Sequence, residues 1–149
     1  RGFREVIAKH PELGGAHANL GLILRNAGKH DESIAALEQA VKASPKQAVF
    51  HNQLGVSYRH KGQFQKARNA YEQAIALDDN YADAHLNLGV LLDLYLGDSA
   101  LALTHYERYL ALSPAGDPAV GKWVADLKNR KPASVAQADV KLTKKDGAR

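Results

Sequence analysis

The sequence predicts an all-α chain, an α-solenoid of stacked antiparallel helical hairpins closed by a C-terminal capping helix. Three observations predict it: a fixed spacing of Leu-Gly pairs, helical periodicity in both halves of each unit, and a short glycine turn between the halves. Leu20-Gly21, Leu54-Gly55 and Leu88-Gly89 follow one another at intervals of 34 residues. Self-similarity at such a period marks a repeat architecture.

The period carries more than the Leu-Gly pair. Three residues before each Leu stands a histidine: His17, His51 and His85. Gly28 and Gly62 each follow the pair's glycine by seven residues, whereas Gly97 comes one residue late. The third unit therefore carries a single insertion near its turn. In the second halves, Ser33, Leu37 and Ala40 correspond to Ala67, Tyr71 and Ala74, and then to Ala102, Tyr106 and Tyr109. Pro45 and Pro114 close the first and third units, and Asp79 takes that place in the second.

Each half reads as a helix. From Ala48 to His60, His51, Leu54, Gly55 and Tyr58 share one face; from Phe64 to Leu77, Ala67, Tyr71, Ala74 and Ile75 do so. Lys61-Gly62-Gln63 between them is too short to be anything but a turn, with a glycine suited to a left-handed helix end. Short connections force antiparallel neighbours. Hairpins of this kind bury their apolar faces only by stacking on one another.

These residues resemble the tetratricopeptide repeat (TPR) family. The resemblance rests on the Leu-Gly pair, the Leu24/Tyr58/Leu92 position, the turn glycine, the small Ala67/Ala102 and large Leu37/Tyr71/Tyr106 positions, and the closing proline. It covers roughly Ala16 to Pro114. Histidine stands where the family often has tryptophan. The expected organisation is repeats over 14–47, 48–81 and 82–116, the last with its insertion, a capping helix over 117–130 and a disordered basic tail over 131–149. Phe3, Val6, Ile7 and Pro11 match Leu37, Ala40, Val41 and Pro45 one period upstream. Residues 1–13 are therefore expected to be a remnant of the second helix of an earlier repeat.

The capping helix has its own signature. Asp117-Pro118 supplies an N-cap and a first-turn proline, and Val120, Trp123, Val124 and Leu127 mark one apolar stripe. Trp123, the only tryptophan, is the expected anchor.

Charge argues against nucleic acid as the partner of the folded part. The chain is formally +4, but 128–149 holds seven Lys or Arg against Asp139 and Asp146, a net +5. The remainder is therefore −1, without the basic face and interleaved aromatics of a nucleic-acid-binding body. No apolar run reaches the roughly 18–20 residues needed to span a bilayer. Cysteine is absent, which removes disulfides, thiolate metal sites and cysteine nucleophiles. Compact repeats without cysteine lean toward a bacterial, periplasmic setting.

Neither metal, cofactor nor catalysis is expected. Ligands must converge to about 2 Å from one ion, whereas a strict repeat separates His17, His51 and His85 into helices about 8–10 Å apart. Packing is the expected role of these rings. Ser33, Ser57 and Ser99 have no base at a meaningful spacing, and Asp31, Glu32, Glu38, Glu72 and Glu107 sit at helix-surface spacing. No phosphate loop or nucleophile elbow occurs.

The resemblance implies that the first helices of the repeats line a groove that holds another protein or a peptide segment. Before each Leu-Gly stands a carboxamide, Asn19, Gln53 and Asn87; after it stands an aliphatic residue, Leu22, Val56 and Val90. Arg25 and Arg59 follow three residues on, with Asp93 in the third unit, and Asn52 precedes Gln53. A carboxamide both donates and accepts, so such a row suits an extended backbone; the aliphatic row suits apolar side chains, and the arginines suit acidic segments. The family's clamp for a chaperone C-terminal carboxylate, a set of Lys, Arg and Asn residues, is not expected: the corresponding positions include Ala18, Leu22, Gln53, Asp83 and Asn87, and the basic members are missing. Self-association into a homo-oligomer is the alternative, as is recruitment of substrates to a larger enzyme.

Overall fold

The computed structural model describes residues 13–130, which form seven α-helices and no strand. They are α1 (Gly14–Asn26), α2 (His30–Ala43), α3 (Ala48–His60), α4 (Phe64–Leu77), α5 (Ala82–Leu91), α6 (Ser99–Leu112) and α7 (Pro118–Asn129), with a π-helical turn at Leu92–Leu96 continuing α5. The expected basic tail, and all of the expected N-terminal helix remnant but Leu13, lie outside the described residues. The fold is two compact units, one ending at Tyr81 and one beginning at Ala82.

In the first unit α1 pairs with α2 and α3 with α4, and α3 also packs on α2 and α1. Small residues let the paired helices close. A Cβ on Gly21 would stand 2.5 Å from Leu37 Cγ, and one on Gly55 the same distance from Tyr71 Cε1. Leu37, Ala40, Ala67, Tyr71 and Ala74 are completely buried beneath these contacts. A buried polar seam joins the two hairpins: Ser33 Oγ donates to the Gly21 carbonyl at 2.7 Å and lies 2.9 Å from Ser57 Oγ.

In the second unit α5 pairs with α6, and Gly89 faces the Tyr106 ring as Gly55 faces Tyr71. The helix α7 packs on α6, burying Val120, Val124 and Leu127. Asp117 caps it, Oδ1 accepting from Ala119 N at 2.9 Å, with Pro118 at its first position. Trp123 is half-buried and tilts against Tyr106 at a ring separation of 5.6 Å.

The one-residue insertion has a definite place. In the first two turns the residue after the glycine donates five residues back, Lys29 N to Leu24 O and Gln63 N to Tyr58 O. In the third the bond spans six, Asp98 N to Leu92 O, and the extra residue is wound into the π turn. Such bulges absorb an insertion without breaking the helix. Gly28, Gly62 and Gly97 then all reach the same left-handed backbone, with φ of 79, 82 and 70°.

Candidate functional site

Each of the two units carries part of the expected row. In the first, α1 and α3 carry Asn19, Leu22, Arg25, Asn52, Gln53, Val56 and Arg59. Asn19 is exposed, while Leu22, Gln53, Val56 and both arginines are half-buried.

Arg25 ties the two helices together. Its Nη2 donates to Gln53 Oε1 at 2.7 Å, and its Nη1 donates to the Gln53 carbonyl at 3.1 Å and to Ser57 Oγ at 3.2 Å. A guanidinium only donates, so the Gln53 oxygen faces Arg25 and the Gln53 NH₂ is left for other acceptors. The sequence assigned Gln53 both donor and acceptor roles; the structure spends its acceptor internally. Most of the Arg25 guanidinium is spent in the same bonds.

Asn52 differs from the rest of the row. It is buried, 3% exposed, and its Nδ2 donates to Tyr81 Oη at 3.2 Å. That bond fastens the end of the first unit to α3, and Asn52 does not present its amide to solvent.

Arg59 lies beside Tyr71, where burial pushes the phenol up while the Arg59 and Arg25 charges pull it back. Burial also lowers Arg25, which Tyr71 partly offsets and Arg59 reinforces. His60 stacks on His30, with ring centroids 5.4 Å apart and planes within 10°. Burial first, then Arg59, Arg25 and His30, hold His60 below the usual imidazole range. This end of the hairpins is therefore a place where positive charges meet.

In the second unit Asn87 and Val90 on α5 are half-buried. Asp93, at the position of the two arginines, is buried and accepts from Tyr106 Oη at 3.0 Å.

The recurrent histidines pack, as the period implied. His17, His51 and His85 are each less than 9% exposed. A ring nitrogen of His51 bonds the Pro45 carbonyl at 2.8 Å, and His85 meets His105 through Nδ1 atoms 3.0 Å apart. Among the described residues no three His, Asp or Glu side chains are grouped to hold a metal ion. No helix there is long and apolar enough to cross a membrane.

Comparison with known families locates a tetratricopeptide repeat at residues 15–47 and a TPR repeat at 55–94. The chain is a tetratricopeptide repeat protein. Solved TPR structures share its fold. The first TPR of Spaghetti (RPAP3), bound to the HSP90 peptide SRMEEVD, is 23% identical with a TM-score of 0.72, covering 77% of this chain and 90% of that one. The first TPR domain of human RPAP3 is 22% identical, TM-score 0.73, over 90% and 98% of the two chains. The MamA protein is 25% identical, TM-score 0.73, over 96% and 76%. No curated protein sequence matches the chain.

TPR repeats make this chain a protein–protein interaction module. Two of its exposed residues escaped the sequence reading. Ile23 is 65% exposed and Val49 49% exposed. Each lies one helical turn from a row carboxamide, Ile23 from Asn19 and Val49 from Gln53, the spacing of surface neighbours. The signal was available: both are large apolar side chains on first helices, outside the Leu-Gly pair that the core requires.

Proposed function

We propose that the chain holds an extended segment of a partner protein on the first helices of its repeats. In the first unit the contact surface is Asn19, Leu22, Gln53 and Val56, with Ile23 and Val49 beside them. Asn87 and Val90 offer the same chemistry on α5 of the second unit. Asn19 supplies a donor and an acceptor to the segment's backbone, and Gln53 supplies donors. Each such bond contributes about 0.5–1.5 kcal/mol net, so affinity comes mainly from apolar side chains laid against the aliphatic residues, at about 25 cal/mol per Å² buried.

The observation that carries this reading is the exposure of Ile23 one turn from an exposed Asn19, and of Val49 one turn from Gln53, on helices that pack on their neighbours through other faces. Large apolar side chains held in water next to a carboxamide suit a surface that is covered by a partner. The fold relative bound to the HSP90 peptide supports the general mode, since that TPR carries its peptide in a structure of the same architecture.

The test is a random dodecapeptide display selection on the immobilised protein. Selected peptides are expected to lose at least about threefold in affinity with Asn19→Ala and with Val56→Asp, and to be indifferent to Lys128→Ala. Peptides that bind all variants equally would place the contact elsewhere on the chain.

A further inference from the structure

One place in the first unit gathers donors without matching acceptors. Arg25 and Arg59 lie close enough that Arg59 disfavours the charge on Arg25 and both act on Tyr71. Neither guanidinium has a carboxylate partner among the described residues. The carboxylates of this unit seen in pairs are committed elsewhere: Asp31 to Lys61 at 3.1 Å, Glu72 to Arg68 at 3.1 Å, and Glu38 to the Tyr58 hydroxyl at 2.6 Å.

Three further features sharpen the imbalance. The bond from Arg25 to Gln53 Oε1 turns the Gln53 NH₂ away from Arg25 as a pure donor. The three Arg25 bonds leave two of its five N–H groups unused. The Tyr71 hydroxyl is buried against Arg59 with no acceptor for its proton. Half-buried like charges without a counter-ion are costly, and burying a donor without an acceptor costs as well. An anion with several acceptor lone pairs offsets the first cost at the two half-buried guanidinium groups, whereas the Tyr71 hydroxyl is buried beyond its reach.

We propose that Arg59, the Gln53 amide and the remaining Arg25 N–H groups form a carboxylate subsite, so that the partner segment carries an aspartate or glutamate there. The assignment rests on the reading that α1 and α3 face a partner. It goes beyond that reading in fixing one side chain of the segment. A carboxylate matches the planar fork of an arginine with two parallel bonds. The site also differs in kind from a clamp on a chain terminus, since an internal acidic side chain satisfies it.

The experiment presents degenerate heptapeptide pools to the immobilised protein, with Glu, Gln, Lys or phosphoserine fixed at the centre. Wild type is expected to retain the Glu pool about fivefold better than the Gln pool, the margin shrinking as salt is added. Arg59→Gln, with a melting temperature within a few degrees of wild type, is expected to erase the preference. Arg59→Glu is expected to shift it to the Lys pool; if that variant does not fold, Arg59→Gln decides. Equal retention of the Glu and Gln pools by wild type overturns the subsite and leaves the wider binding reading standing. A preference for Glu that survives Arg59→Gln overturns it too. Retention of phosphoserine over Glu replaces the carboxylate by a phosphopeptide. If no pool is retained, the binding reading falls together with the subsite.

Discussion

Gly55 lies flat against the Tyr71 ring: a Cβ added to Gly55 would stand 2.5 Å from Cε1 and 2.6 Å from Cδ1. Tyr71 is completely buried and has no room to swing aside. Gly55→Ala is therefore expected to destabilise the protein by about 1–3 kcal/mol through overpacking. Urea denaturation followed by circular dichroism measures this. A neutral result would mean that α3 and α4 do not meet through this glycine.

Gly121 predicts the opposite sign. It sits inside α7, exposed, with no atom within 4 Å of an added Cβ. Nothing there needs glycine, and a helical glycine costs roughly 0.5–1 kcal/mol against alanine. Gly121→Ala should raise the unfolding free energy by that amount, read as a higher denaturation midpoint. Together the two substitutions separate close approach from backbone entropy.

The Asp93 carboxylate accepts from Tyr106 Oη at 3.0 Å in the buried interior of the second unit. Asp93→Ala leaves that hydroxyl without this acceptor and is expected to cost about 1–3 kcal/mol. In a Tyr106→Phe background the same substitution should cost clearly less. The coupling energy from the four denaturation curves is the readout; additive losses would show that the pair does not act as one.

Acid should weaken the fold before its carboxylates titrate. Burial holds His17 below the ordinary value of 6.5, and burial with Arg59, Arg25 and His30 does the same to His60. Below 6.5 the unfolded chain takes up protons at these rings that the folded chain resists, so stability falls as pH drops toward and through the folded values. The contribution is fully present only above the unfolded value of 6.5. Melting temperatures between pH 7.5 and 5 are expected to decline, and less steeply in a His17→Leu/His60→Asn variant. An unchanged slope would assign the decline to other groups.

The sequence determined the fold because the repeat states its own constraints. Leu-Gly pairs 34 residues apart, with a large residue in each second helix, set each glycine against a large side chain. Gly21 on Leu37, Gly55 on Tyr71 and Gly89 on Tyr106 are these contacts. The late Gly97 likewise announced an insertion in the third turn, and Asp117-Pro118 announced the start of α7. These are local rules, set by side-chain size, helical period and backbone angles.

The state of each groove residue was decided only by tertiary structure. Asn19, Asn52 and Gln53 are similar carboxamides in the sequence, yet Asn19 is exposed, Asn52 is buried on Tyr81, and Gln53 is held by Arg25 across 28 residues. Arg25 and Arg59 occupy one repeat position, and only the fold shows how much of Arg25 is already committed. Whether a polar group faces a partner depends on which acceptors other helices bring within about 3 Å of it. A repeat pattern fixes which helices meet, but the hydrogen bonds between them depend on residues that the period leaves free to vary.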